Sequence, residues 1–170
     1  MTITVRPYDI GCEPSPSEPA ETLIQTGDKS YLLFFAVSKT VQENGYLKNL
    51  GIAILDCVNV SSAKLGYPND EGLPEHPFWN HGLADSRSSV VEVSGSEWLA
   101  DIQDQRNRSA NRIWGGRGMK WVPSGESSKH FLITLKEATF ECIAESLTVV
   151  EYARDFDAAF AYVISELKKY

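Results

Sequence analysis

The sequence is short of the residues from which the commonest specialised sites are built. Cysteine occurs three times, at Cys12, Cys57 and Cys142, with no CxxC spacing. That excludes a disulfide framework and a thiolate zinc knuckle, and predicts three reduced thiols. Histidine is equally scarce, at His76, His81 and His130 only. There is no P-loop, dinucleotide fingerprint, HExxH or GxSxG, which removes the nucleotide-binding, zincin and α/β-hydrolase classes that those motifs mark. No uncharged apolar run approaches the length of a membrane helix, and MTITVRPYDI has no basic leader before an apolar stretch. Neither membrane spanning nor standard secretion is expected, so the expectation is a soluble cytoplasmic protein. Positive charge is in deficit too: 16 Lys and Arg against 23 Asp and Glu leave a net charge of −7. This favours solubility and runs against a surface made for nucleic acid or anionic lipid.

What is present is enough for one core. The 170 residues, 42% apolar and with seven Phe, seven Tyr and four Trp, predict a single folded domain over residues 1–170. Ile3 to Val5 alternates with Thr2, Thr4 and Arg6 as a half-buried strand that Pro7 ends. Cys12 to Glu21 carries three prolines and reads as an extended surface loop. Leu23 to Thr26 and Tyr31 to Val37 flank Gly27-Asp28-Lys29-Ser30 as a hairpin, the second strand apolar on both faces and so central. Leu50 to Val60 is a further strand, with Gly51 marking a bulge.

From Gly66 to Asp85 regular patterning stops, because Pro68, Pro74 and Pro77 and the glycines break any long element. This long loop is expected to be ordered and to be the main binding surface, with Tyr67, Leu73, Phe78 and Trp79 pinning it to the sheet. Val90 to Val93 returns to the sheet. Ser94 then reads as a helix cap, with Glu97 completing a capping box, Val93 and Trp98 forming a staple, and the helix running to about Arg106. Between Gln105 and Gly125 lie five basic residues and no acidic one, interleaved with Trp114 and Trp121. His130 to Leu135, Thr139 to Ala144 and Leu147 to Tyr152 predict a closing meander. Asp155 caps a last helix with an apolar stripe of Phe156, Ala159, Phe160, Val163, Ile164 and Leu167.

Few residues suggest chemistry. Asp70, Glu71, Glu75, His76 and His81 share the irregular loop, and Asp70, Glu71 and His76, with His130, are the candidates for acid/base work. Imidazoles with one carboxylate suit zinc or iron, which makes His76, His81 and His130 the metal-ligand candidates, although the H-x4-H spacing is not diagnostic and loop-fixing hydrogen bonds are the plainer reading. If the hairpin turns about Glu137, His130 stands opposite Ala144 and diagonal to Cys142, about 7 to 8 Å away, too far for direct proton transfer. Cys57 and Cys142 read as small buried hydrophobes. Arg106, Arg108, Arg112, Arg117 and Lys120 with Trp114 and Trp121 have the composition of a phosphate and stacking surface. It reads equally as a polar loop with two core anchors; as a binding surface, the acidic whole favours contact with an acidic protein surface over nucleic acid.

The segment Tyr67-Pro68-Asn69-Asp70-Glu71-Gly72-Leu73-Pro74-Glu75-His76-Pro77, followed by Gly82-Leu83 and later by His130-Phe131 and Phe140-Glu141-Cys142-Ile143-Ala144, resembles a small group of uncharacterised bacterial proteins. The resemblance covers the second half of the chain and implies no activity.

The fold expected is α+β: a mainly antiparallel sheet of about six to eight strands covered by two helices, with a curl toward a half-barrel as the alternative. The function expected is that of an accessory or binding protein using the loops 66–85 and 105–125, with Tyr67, Trp79, His81, Arg112, Trp114, Arg117 and Trp121 as its surface. Another protein is the expected partner, without nucleic acid, membrane or cofactor. The alternative is a metal-dependent or acid/base hydrolytic enzyme with Asp70, Glu71, His76 and His130 in one pocket.

Overall fold

The computed structural model describes residues 2–113 and 128–169. Their strands are β1 (Thr4–Pro7), β2 (Glu13–Pro14), β3 (Thr22–Gln25), β4 (Ser30–Val41), β5 (Leu47–Val58), β6 (Ser62–Gly66), β7 (Val90–Ser94), β8 (Lys129–Thr134), β9 (Thr139–Ala144) and β10 (Ser146–Ala153). The helices are α1 (Glu97–Ile113) and α2 (Phe156–Leu167). The fold is α+β, as expected, and every strand pairing is antiparallel. The strands divide between two sheets, neither closed into a barrel. One has the order β1-β7-β8-β9-β6; the other has the order β10-β5-β4-β2, with β3 also pairing β4.

Strand alternation explains why two sheets form. Leu32, Phe34 and Ala36 of β4 and Ala53, Leu55 and Cys57 of β5 share one core with Phe131, Ile133, Phe140, Cys142 and Ala144 of β8 and β9. The alternate residues Tyr31, Leu33, Ile52 and Ile54 pack under Ala159 and Val163 of α2. β4 and β5 are apolar on both faces because one face meets a sheet and the other a helix. On the outer face of the first sheet, Val91, Val93 and Leu132 are covered by Leu83, Leu73 and Phe78 from the segment that follows β6.

The expected meander is corrected at its last step. β8 and β9 pair, but β10 leaves them after Glu145 and pairs β5 in the other sheet. Leu147 thereby stays in the core between the sheets. Gly51 is the bulge expected: the register slips beside it, its φ is +91, and a Cβ there would lie 2.4 Å from the Ala153 carbonyl oxygen.

Both helix readings need adjustment. Asp155 caps α2 by accepting a bond from the Ala158 N–H at 2.8 Å, but Ile164 is 51% exposed. At about 100° per residue it falls well round from the line through Phe156, Ala159, Val163 and Leu167. Ser94 does not cap α1. It ends β7, paired with Thr4 of β1, and Gly95 turns the corner at φ +73. The cap is Ser96, whose Oγ accepts from the Leu99 N–H at 3.2 Å. Glu97 is therefore the first helical residue and makes no capping box, and the helix continues past Arg106 to Ile113. Among the described residues no helix is long and apolar enough to cross a membrane.

Candidate functional site

The site forms where the irregular segment crosses the outer face of the first sheet. Two single 3-10 turns, Leu73–Glu75 and Trp79–His81, interrupt that segment. Leu73, Phe78 and Leu83 anchor it, Thr139 donates to the Pro68 carbonyl at 2.7 Å, and Lys136 pairs with Asp70 at 2.6 Å. The ordered loop expected from the prolines is thus fixed by apolar and polar contacts together. Tyr67 is not one of its anchors: it is 77% exposed.

Register decides which side chains meet. The hairpin pairs His130 with Ile143, and Lys129 with Ala144, one residue away from a turn centred on Glu137. A slip of one residue exchanges the faces of a strand. His130 therefore shares its face with Glu141, while Cys142 points into the core between the sheets. The expected placement of His130 on one face with Cys142, diagonal to it, is corrected: the two side chains lie on opposite faces of the sheet. All three cysteines are free and buried, and burial pushes the thiols of Cys12 and Cys142 up.

A hydrogen-bonded chain runs across this outer face. Ser96 Oγ lies 2.7 Å from His130 Nδ1, and His130 Nε2 lies 2.9 Å from Glu141 Oε2. The other carboxylate oxygen receives Lys64 Nζ at 2.7 Å and faces His76 Nε2 at 3.7 Å. Lys64 reaches it because β6 places Lys64 directly opposite Glu141; the same ammonium sits 4.7 Å from the centre of the Trp98 ring. His76 Nδ1 accepts the Phe78 N–H at 3.2 Å, so in the neutral ring the proton is on Nε2, toward Glu141.

The tautomer of His130 follows from its neighbours in the same way. Ser96 already accepts from Leu99, so its own hydrogen is available to His130 Nδ1, leaving Nε2–H to donate to the carboxylate. Burial alone would raise the Glu141 carboxyl. The contacts from His130, His76 and Lys64 outweigh it and hold the group well below the usual carboxylate range. The result is a buried ionised carboxylate with its charge answered on three sides.

Above these groups is a cleft of about 510 Å³, lined by Lys64, Tyr67, His76, Phe78, His81, Ser96, Trp98, His130 and Glu141 among others. Its size and mixture of aromatic walls with a few convergent polar groups are those of a ligand site. A larger hollow of about 680 Å³ lies between α1 and Ser61–Ser62. It contains no histidine, and its Arg106 bonds Ser61 at 2.6 Å; all three histidines line the smaller cleft.

Of the sequence candidates, His76, His81 and His130 converge here and Tyr67 stands at the rim. Asp70 and Glu71 do not join them. Asp70 is turned to Lys136, whose hydrogen bond lowers its pKa, and lines a separate small depression. Glu71 is exposed. The expected pocket of Asp70, Glu71, His76 and His130 is therefore corrected: its carboxylate is Glu141. Trp79 is half-buried outside the cleft lining, and Arg112 is exposed on α1 beside Arg108. Trp114, Arg117, Lys120 and Trp121 lie outside the described residues. Among the described residues, no group of three or more His, Cys, Asp or Glu side chains is disposed to hold a metal ion.

Sequence reasoning missed Glu141, Lys64, Trp98 and Ser96 as site residues. Glu141 carried a signal: it is the only charge in Thr139–Ala144, an otherwise apolar strand, and a carboxylate buried there requires partners. Comparison with family models, curated proteins and solved structures returns no match for this chain.

Proposed function

We propose that this chain is a binding protein that recognises another protein through the cleft and its rim. The observation that carries the reading is the placement of Tyr67. It is 77% exposed, yet its ring rests on Gly72, where an added Cβ would come within 2.7 Å of the tyrosine hydroxyl. A large aromatic projecting from an ordered loop is a preorganised anchor, and tyrosine and tryptophan dominate the energetics of protein interfaces. Trp98 and Lys64 line the cleft together with Ser96, His130 and Glu141, a mixture of aromatic, charged and hydrogen-bonding groups that suits a partner side chain of mixed character. Arg108 and Arg112, on the exposed part of α1, extend the surface toward an acidic partner.

The test is site-specific photo-crosslinking in the cells from which the chain comes. A benzophenone amino acid at position 67 should give one discrete protein adduct. The control is position 46, where Tyr46 is similarly exposed at 74% on the distant β4–β5 turn. No adduct at 67, or the same adducts at both positions, refutes the reading.

A further inference from the structure

The same cleft holds a constellation that recognition alone does not require. We propose that Ser96, His130 and Glu141 form a nucleophilic relay, giving the cleft acyl-transfer activity toward esters with an apolar or aromatic acyl group. The inference rests on the cleft being a ligand site and adds the chemistry performed there.

Three observations support it. The hydrogen-bond chain is continuous: Ser96 Oγ to His130 Nδ1 is 2.7 Å and His130 Nε2 to Glu141 Oε2 is 2.9 Å. Nucleophile, base and orienting carboxylate are thus in the order that acyl-transfer chemistry needs. The ring nitrogens are used in the reverse sense from the serine proteases, but a relay requires only that one nitrogen accept the serine proton while the other is held by the carboxylate. Next, the serine, although 5% exposed, itself lines the cleft, with Phe78 and Trp98 packed edge-on around the imidazole. Finally, Ser96 immediately precedes α1, whose leading N–H groups lack acceptors within the helix and favour negative charge.

The chemistry balances within these groups. Ser96 Oγ forms a bond to the acyl carbon as its proton passes to His130 Nδ1. The carbon–oxygen bond to the leaving group breaks, and the departing alkoxide takes that proton. Water then attacks the acyl carbon with His130 Nδ1 accepting its proton, the bond from the acyl carbon to Ser96 Oγ breaks to release the carboxylic acid, and His130 returns the proton to Ser96 Oγ. Glu141 stays ionised throughout, held so by Lys64 and His76, and acts as a positioning residue through His130. Tyr67, Phe78 and Trp98 supply the apolar wall for the acyl group.

A fluorophosphonate probe tests the first half of the cycle, because it forms a stable Oγ–phosphorus bond with loss of fluoride. The full-length folded protein is incubated with the probe, digested and mapped by mass spectrometry. The expected label is on Ser96. It should be absent in Ser96→Ala and slowed on the order of 100-fold in His130→Gln. Glu141→Gln should slow labelling and Glu141→Asp should restore part of it, a rescue that a purely structural carboxylate would not give. Hydrolysis of p-nitrophenyl butyrate should follow the same ranking.

An unlabelled Ser96 in folded wild-type protein overturns the proposal, as does label confined to another residue. Label at Ser96 that is undiminished in His130→Gln also overturns it. If His130→Gln does not fold, the wild-type map and the two Glu141 variants decide. The small probe reads the cleft floor and the cross-linker reads the rim. Labelling without a cross-link removes the protein-partner reading and keeps the relay; a cross-link without labelling does the reverse.

Discussion

Replacing Glu141 by glutamine tests whether the buried carboxylate organises this face of the sheet. Glutamine keeps the shape but offers one acceptor oxygen and an amide that can only donate. Two close donors, His130 and Lys64, then compete for that oxygen. Lys64, with its side chain 59% exposed, is easily rehydrated, so the oxygen should stay with the buried imidazole. What is lost is the charge-assisted part of the His130 bond, roughly 1 kcal/mol or somewhat more, and a solvent-screened ion pair of about 0–1 kcal/mol. The sum is about 2 kcal/mol, or a fall in Tm of about 4–8 °C for a domain of this length.

The pH dependence of that difference has a definite sign. The Glu141 carboxyl is held below its ordinary value of 4.5, so the folded protein binds fewer protons there than the unfolded chain. Its contribution is fully present above the unfolded value and is lost as pH falls below about 4.5 toward the folded value. Urea unfolding followed by tryptophan fluorescence at pH 7, 5 and 4 should show the gap between wild type and variant narrowing at the acid end. Equal midpoints at pH 7, or a gap that widens between pH 5 and pH 4, would refute the placement of the carboxylate at the centre of the network.

Two further outcomes test the elements that position the site. Ser96→Ala should cost about 2 kcal/mol or more, by removing both the acceptor for the Leu99 N–H and the hydroxyl bonded to the buried His130, whereas Ser94→Ala, on the exposed end of β7, should stay within about 0.5 kcal/mol; the reverse order in chemical denaturation would return the cap to Ser94. Truncation before Asp155 uncovers Tyr31, Leu33, Ile52 and Ile54 and should abolish the cooperative thermal transition seen by circular dichroism. A truncated chain with the full-length midpoint would show that α2 contributes nothing to the core.

What the sequence determined by itself was whatever depends on neighbours along the chain. The two-faced apolar run of β4, the Asp155 cap and the glycine at the Gly51 bulge are local, because strand composition, helix capping and positive φ are decided within a few residues. The order of the loop 66–85 was legible from three prolines and its aromatic residues, although its anchors proved to be Leu73, Phe78 and Leu83 rather than Tyr67. Tertiary structure decided what depends on register and on the sheet to which a strand belongs. Ser94 and Ser96 are equally good caps in isolation; pairing of β1 with β7 takes Ser94 into the strand and leaves Ser96 to begin the helix. One residue of register in the β8–β9 hairpin exchanges Cys142 for Glu141 beside His130, because successive side chains point to opposite faces. Lys64 and His76 then reach the same carboxylate from β6 and from the loop, contacts spanning 77 and 65 residues of chain that only the assembled sheet brings together.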